Sequence, residues 1–121
     1  MIQHIGTPAV ISGAGLKKKL IEEYFGRVNT NTDMVSIAHM KSPAGWIEPG
    51  QQPEFDEYTV VLAGTLQVET ETQVYQVSAG QGILVTKNEW VKYSSPQEGG
   101  AEYISVCIPA FSPATVHRDK E

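Results

Sequence analysis

Short runs of β-branched and aromatic residues, separated by glycine turns, occupy most of the chain after residue 34. The glycines that mark the turns are Gly45, Gly50, Gly64, Gly80 and Gly82. Many short strands joined by brief turns are typical of an all-β sandwich or barrel. We predict strands at residues 35–40, 55–62, 65–70, 74–77, 83–85, 91–94 and 102–108.

Two of these runs, residues 65–70 and 102–108, alternate apolar with polar residues. Alternation places one face of a strand in the core and leaves the other for solvent or for chemistry. Val60, Val61 and Leu62 are instead apolar without interruption, as in a strand that is covered on both faces. We therefore expect a homodimer, because a short barrel buries more surface by pairing.

The length of 121 residues fits a single domain. Hydrophobic residues make up 40% and charged residues 19%, as in ordinary globular proteins. We divide the chain into an N-terminal arm with the first strand or strands at residues 1–32, a barrel at 33–110 and a C-terminal tail, frayed at its end, at 111–121. Residues 16–25 also show helical spacing, but we favour a strand from about Glu23 because turn-forming residues follow it.

Charge and composition argue against two kinds of partner. The formal net charge is −5, whereas a nucleic-acid-binding surface is basic, and we interpret the only basic run, Lys17, Lys18 and Lys19, as solvated surface. No run approaches the ~20 apolar residues of a membrane helix, and the N-terminus lacks a secretory pattern. The lone Cys107 fits a reducing compartment. We expect no nucleic-acid partner, no membrane partner and a cytoplasmic location.

The stretch GWIEPGQQPEFDEYTVVLAG, which begins at Gly45, resembles the first sequence motif of the cupins. Gly45, Glu57 and Gly64 occupy that motif's glycine and glutamate positions. Its two histidine positions fall on Gln51 and Pro53. The spacing of the motif is kept, while two of its metal ligands are replaced.

The second cupin motif fits from Gly80 by spacing alone, with Val91 at its histidine position and Ser95 at its asparagine position. The resemblance implies a small single-domain, RmlC-like cupin, an all-β double-stranded β-helix or jelly-roll barrel over about residues 33–110. In the family three histidines and a glutamate hold a divalent metal, and only Glu57 of these remains here. We therefore expect no metal cofactor.

Among cupins, the chain looks most similar to the metal-ligand-poor proteins of ethanolamine utilisation, the EutQ group. The similar stretches are FDEYTVVLAGTL, GQGILVTKN and YISVCIPAF. That group has been credited with acetate kinase activity, and the resemblance implies this activity as one alternative. The chain contains no glycine-rich phosphate loop that would indicate nucleotide binding independently.

Strand parity predicts that Gln51, Phe55 and Glu57 point into the barrel, while Glu54 and Asp56 point out. A carboxylic acid in an apolar barrel has a raised pKa and suits general acid or base catalysis. Glu57 is therefore our first catalytic candidate. The alternative is a structural acid with hydrogen bonds across the barrel.

Three aromatic residues are further candidates. Tyr93 shares the inward face with Val91, where its hydroxyl either contacts a ligand or fills the space that a metal site leaves. Trp46 and Trp90 lie at loop-to-strand junctions, where they either form an aromatic rim around a ligand or belong to the core or a dimer contact.

His39 ends the strand before the first motif. If the following loop folds over the barrel mouth, His39 joins Glu48, Gln51 and Glu57 in a nonstandard ligand-binding site. The alternative cofactor is a divalent metal at Glu48, Gln51 and Glu57, whose oxygen atoms favour Mn²⁺ or Mg²⁺.

These observations leave four functions open. The one we expect is a protein that binds a small polar or anionic molecule in its barrel without a metal. The second is an enzyme, an isomerase, epimerase, lyase or EutQ-like acetate kinase, that uses Glu57 as acid or base with Tyr93 or His39. The third is a metalloenzyme with the oxygen ligands named above. The fourth is a structural protein that builds an assembly.

Overall fold

The computed structural model describes residues 1–120, and every pair of strands in it is antiparallel. The strands are β1 Ala9–Ser12, β2 Leu20–Phe25, β3 Ser36–Ser42, β4 Trp46–Ile47, β5 Asp56–Thr70, β6 Val74–Ser78, β7 Gly82–Val85, β8 Val91–Ser95 and β9 Ala101–Ile108. Residues 1–120 contain no α-helix. The predicted all-β jelly-roll fold is confirmed.

The strands form two curled sheets that share β5. In the large sheet the order is β1, β2, β3, β9, the first half of β5 and β7. In the small sheet the second half of β5 lies between β6 and β8, and β4 pairs with β8. The core lies between the two sheets.

β5 is one strand of 15 residues, where the sequence predicted two. Its pairing with β9 shifts register between Val61 and Ala63, and Gly64 has a φ of 73°. A side chain at Gly64 would collide with the backbone of Gly100. The glycine that indicates a turn in the sequence therefore allows a bend within a continuous strand.

Large apolar side chains from both sheets meet inside the barrel. The buried cluster consists of Trp46, Val61, Leu66, Val68, Val77, Val85, Val91, Tyr93, Ala101 and Tyr103. Full burial of one such large side chain stabilises the fold by about 1.5–3 kcal/mol. This cluster fixes the curvature of the sheets and leaves the remaining inner surface of the large sheet for a site.

The apolar run in β5 alternates between the two faces of the sheet. Val61 is fully buried, whereas Val60 and Leu62 are 52% and 51% exposed. The expectation that this strand is covered on both faces is therefore wrong for the single chain. Its outer face carries exposed apolar side chains.

The chain before residue 33 extends the large sheet, since β1 pairs with β2 and β2 with β3. β2 begins at Leu20, opposite Lys41, before the expected start at Glu23. No helix in residues 1–120 is long and apolar enough to span a bilayer.

Residues 109–120, here called the C-terminal strap, pack against the barrel. The Gln52 and Glu54 amides donate to the carbonyls of His117 and Thr115, and Val116 is 2% exposed. Backbone hydrogen bonds anchor the segment as far as Asp119, so most of the expected tail is packed, and fraying at its very end stays a prediction. Residue 121 lies outside the described residues.

Candidate functional site

A cavity of about 300 Å³, here called the barrel pocket, is bounded by the inner face of the large sheet and the C-terminal strap. Alternate residues of β3, Ser36, Ala38 and Met40, face it, as do Ser105 and Cys107 of β9. The polar side chains most relevant to chemistry are Lys19, Glu48, Gln51, Glu57, Ser105 and Arg118. The pocket thus brings cations and carboxylates together beside an apolar wall.

Glu57 lies on β5 opposite Cys107 and lines the pocket, as strand parity predicted. Burial raises the pKa of its carboxyl to about 7, and the charge of Glu48 adds to the rise, while Lys19 opposes it. A carboxyl with this pKa is half protonated near neutral pH and can take or give a proton. Its catalytic role stays a prediction.

Glu48 is only 6% exposed. Burial raises the pKa of its carboxyl, and the positive charges of Lys19 and Arg118 reduce this rise. Two carboxyls with raised pKa values therefore share the pocket with two cations. Groups whose pKa values are shifted by burial and by specific charges cluster at functional sites.

Lys19 enters the pocket from the N-terminal side. Its Nζ donates to the Tyr103 hydroxyl at 3.3 Å and lies 4.2 Å from the centre of the Trp46 ring. Burial acts to lower the pKa of Lys19, but Tyr103 and Glu48 outweigh burial and raise it, so Lys19 is an ammonium cation. The sequence interpretation of Lys19 as solvated surface is wrong, although Lys17 and Lys18 are exposed.

Gln51 and Arg118 are neighbours in an isolated antiparallel bridge and both line the pocket. Gln51 is 3% exposed, and the Arg118 guanidinium lies 5.7 Å from the centre of the Phe111 ring. Within the described chain, Gln51 Oε1 and Arg118 Nε are buried without a hydrogen-bond partner. Such atoms are rare in folded proteins and often mark a place where a ligand or a water binds.

The structure places Tyr93 and Trp46 in the core cluster and outside the wall of the pocket. Burial, followed by the charge of Glu57, raises the pKa of the Tyr93 hydroxyl well above its usual value. Trp90 is half-buried and donates from Nε1 to Asp119 at 2.9 Å. Trp46 supports Lys19, and Trp90 fixes the strap, so neither forms the aromatic rim that the sequence suggested.

His39 lies on the outer face of β3, because its neighbours Ala38 and Met40 face inward. Its Nδ1 is 2.9 Å from Glu22 and its Nε2 is 2.6 Å from Glu102. His39 therefore does not join Glu48, Gln51 and Glu57. The strand alternation that predicts an inward Glu57 could also have predicted that His39 points outward.

Within residues 1–120 no three His, Cys, Asp or Glu side chains are arranged to hold a metal ion. Glu48 and Glu57 instead have Lys19 and Arg118 as charge partners. Two nearby cations disfavour a third positive charge at Glu48, Gln51 and Glu57. Whether the protein works with or without a metal stays a prediction for metal analysis.

Solved structures with the same architecture include three proteins under 25% identical to this chain. EutQ of Clostridium difficile is 20% identical with a TM-score of 0.64, over 77% of this chain and 64% of that one. A predicted oxalate decarboxylase of Thermotoga maritima is 18% identical with a TM-score of 0.72, over 90% and 99%. This chain has the cupin fold. Oxalate decarboxylase of Bacillus subtilis shares it at 15% identity and a TM-score of 0.76, over 94% and 30%.

No family model matches this cupin-fold chain. A curated relative, named Endoribonuclease YbeY from Myxococcus xanthus (strain DK1622), is 44% identical over 101 residues. The match covers 84% of this chain and 34% of the relative, so the chain spans about a third of that protein's length. The match therefore does not show that this chain has the relative's activity.

The relative corrects our expectation about function. We expected a barrel that binds a small molecule, with other enzymes as alternatives. The 44% identical relative is instead named for RNA cleavage, which contradicts that expectation. The expectation of no nucleic-acid partner loses its support for the same reason. That expectation used the net charge of −5, which averages over the whole chain and hides the cations Lys19 and Arg118 in the pocket.

Proposed function

We propose that this chain is an RNA-processing domain whose barrel pocket receives one nucleotide of a single-stranded RNA and supports its cleavage. The observation that carries the proposal is the 44% identity, over 101 residues, to a protein named Endoribonuclease YbeY. The pocket, of about 300 Å³, is at the lower end of the range for ligand sites. Its size suits one nucleotide and excludes a duplex.

The pocket contains two cations with which an RNA phosphate can pair, although the whole chain has a formal net charge of −5. Lys19 and Arg118 each contribute a full positive charge. Glu48 and Glu57 contribute less than two negative charges near neutral pH, because both have raised pKa values. A third carboxyl of the pocket, that of Glu23, accepts hydrogen bonds from the Val28 and Asn29 amides. Phosphate oxygens would pair with the two cations.

The same groups can assist cleavage of the RNA backbone. Glu48 as a carboxylate takes the proton of the 2′-hydroxyl before the scissile bond, and that oxygen forms a bond to phosphorus. The bond from phosphorus to the 5′-oxygen breaks, and Glu57, which is half protonated near neutral pH, gives the 5′-oxygen a proton. Lys19 and Arg118 balance the charge that develops on phosphorus oxygens. The products are a 2′,3′-cyclic phosphate and a 5′-hydroxyl.

The test is incubation of the purified chain with end-labelled single-stranded RNA of mixed sequence, followed by analysis of fragment ends. The wild type should produce cyclic-phosphate ends, and Glu57→Gln should lose about 10²-fold or more of the rate. Glu71→Gln is the matched control, since Glu71 is exposed on a turn and does not line the pocket. RNA that stays intact with the wild type would contradict cleavage by this chain.

A second candidate is an RNA-holding domain that serves a catalytic domain elsewhere. It is favoured by the extent of the match, because 66% of the relative lies outside the aligned third. The same pocket would then bind RNA without cutting it. Binding of a labelled 8-nucleotide RNA, measured by fluorescence anisotropy, together with no cleavage, would support this candidate over the first.

We also propose that the protein forms a homodimer through the outer face of the large sheet. The outer apolar face consists of Tyr58, Val60, Leu62, Leu84 and Ile108, which are 43–52% exposed. A two-fold contact places a surface against its own copy, and a charged surface would repel itself there. Its five side chains are uncharged, and the charged Asp56 lies opposite Ile108 at the end of β5, so two copies can pack their apolar side chains together without burying a charge between them.

A further inference from the structure

Two buried polar atoms in the barrel pocket have complementary requirements. Gln51 Oε1 accepts a hydrogen bond, and Arg118 Nε donates one. Neither atom has a partner within residues 1–120, although Gln51 is 97% buried. A buried donor and a buried acceptor left unpaired are each costly. A ligand that pairs with both removes these two costs together.

The backbone holds both side chains on the same side. Gln51 and Arg118 are opposite each other in an antiparallel bridge, and such residues have Cβ atoms about 4.5–5.5 Å apart. The bridge is fixed by hydrogen bonds from the Asp119 amide to the Gly50 carbonyl, 2.8 Å long, and from the Gln52 amide to the His117 carbonyl, 3.1 Å long. The two unpaired atoms are therefore presented together and with little freedom.

The chemistry of the two atoms selects the ligand group. A phosphate oxygen only accepts and cannot pair with Gln51 Oε1, while an ammonium group only donates and cannot pair with Arg118 Nε. A hydroxyl does both with one oxygen atom. In RNA the group of this kind is the ribose 2′-hydroxyl, which DNA lacks.

We propose that Gln51 and Arg118 together bind the 2′-hydroxyl of the nucleotide in the barrel pocket, and thereby make the domain selective for RNA over DNA. This inference rests on the proposed function. The recognised hydroxyl belongs to the nucleotide that follows the scissile bond, whereas the attacking hydroxyl belongs to the nucleotide before it. Gln51 therefore accepts a hydrogen bond from one hydroxyl, and Glu48 takes the proton of the other.

The experiment compares the binding of 8-nucleotide strands of one sequence with ribose, deoxyribose or 2′-O-methylribose. Fluorescence anisotropy is read directly after mixing, before a gel shows cleavage of the ribose strand. The wild type should bind ribose about 10- to 100-fold more tightly than deoxyribose, since DNA leaves both atoms unpaired. The 2′-O-methyl strand, which keeps an acceptor but has no donor, should bind more weakly than ribose.

Gln51→Met retains the length of the side chain and removes its acceptor. This variant should bind RNA and DNA with equal affinity, at about the wild-type affinity for DNA. Arg118→Lys retains the charge but moves the donor, and should also lose most of the preference. Gln73→Met is the matched control at an exposed glutamine and should keep the full preference. Thermal unfolding of each variant shows whether the fold is retained.

The outcomes separate the two proposals. Equal binding of RNA and DNA by the wild type would overturn the role of Gln51 and Arg118 and leave the RNA function in place. A preference for RNA that survives in both variants would also overturn it. No binding of any strand would overturn the RNA function, and this inference with it.

Discussion

The ionisation of Glu57 is set by groups from separate parts of the chain. Glu48 precedes it by nine residues. Lys19 lies just before β2, Ser105 lies on β9 and Arg118 lies in the strap, and all three lower the pKa of Glu57. Strand parity predicts the inward direction of Glu57 and Gln51 from the local sequence. The inward direction of Lys19 and Arg118 could not be predicted from strand parity. Lys19 comes two residues after Lys17, whose positive φ interrupts the extended backbone, and Arg118 belongs to the strap.

Glu57 makes the stability of the protein depend on pH. Because its folded-state pKa is raised to about 7 from 4.5, the folded protein holds a proton that the unfolded chain has lost between these values. Stability should therefore fall as pH rises from about 4.5 to about 7. Glu57→Gln should be more stable than the wild type at pH 8, by on the order of 1–3 kcal/mol.

Urea unfolding at pH 5 and pH 8 measures this difference. Glu71→Gln provides the control and should follow the wild type at both pH values. If Glu57→Gln shows the same loss of stability between the two values as the wild type, Glu57 does not carry the raised pKa.

Lys19 should lower the pKa of Glu57 and strengthen RNA binding. Lys19→Met removes a positive charge that stabilises the Glu57 carboxylate, so the pKa of Glu57 should rise above about 7. The affinity for RNA should fall by about 10-fold. Carboxyl carbon chemical shifts during an NMR titration report the pKa, and Lys18→Met at an exposed neighbour should leave it unchanged.

The C-terminal strap closes one side of the pocket and holds Arg118 in place. Its valine, Val116, packs with Phe55 and Cys107 in a second buried cluster. The sequence predicted a frayed tail because prolines and charges end the strand pattern there. Hydrogen bonds to residues 50–54 anchor it, and such pairing between an irregular segment and a loop has no periodic signal in the sequence.

Truncation of the Val116 side chain should loosen the strap. Val116→Ala should lower the free energy of unfolding by about 1–2.5 kcal/mol, because it leaves a cavity beside Phe55. Since Arg118 follows two residues later, the preference for RNA should also weaken. Val28→Ala at a 66% exposed valine should change neither quantity. Denaturant unfolding and anisotropy measure the two effects.

His39 connects three strands of the large sheet through Glu22 on β2 and Glu102 on β9. Hydrogen bonds to Glu22 and Glu102 raise the pKa of His39, and burial opposes them. A raised histidine pKa stabilises the fold below the unfolded value of 6.5 and loses this effect as pH rises through the folded value.

Replacement of His39 should therefore cost most at low pH. His39→Gln should lower the melting temperature more at pH 6 than at pH 9, and His4→Gln at the exposed N-terminus should lower it at neither. A loss of equal size at both pH values would mean that the charge of His39 does not stabilise the sheet.

The whole molecule has a formal net charge of −5 and presents a group of exposed apolar side chains, the outer apolar face. The strand pattern, the turns and the cupin spacing were sufficient to predict the barrel as a whole. They did not predict which side of β5 is exposed, because three adjacent apolar residues fit either a doubly covered strand or a dimer contact. The second of these is the one that the exposure of Val60 and Leu62 favours.

A charge on the outer apolar face should separate the proposed dimer. Val60→Glu places two like charges against each other across a two-fold contact, so a protein that is dimeric at micromolar concentration should become monomeric. Val74→Glu is the matched control, since Val60 and Val74 are both 52% exposed and Val74 lies on β6 of the small sheet. Light scattering gives the mass, and a monomeric wild type would contradict the proposal.

The position of β9 between β3 and β5 has a consequence for synthesis on the ribosome. β3 and β5 do not pair with each other, and both pair with β9. Neither can form this pairing before residues 101–108 emerge from the exit tunnel. Until then a nascent chain exposes two unpaired strand edges, which are templates for aggregation. Translation that stops before residue 101 would leave a product that needs a chaperone or a protease, whereas complete synthesis closes the sheet in one step.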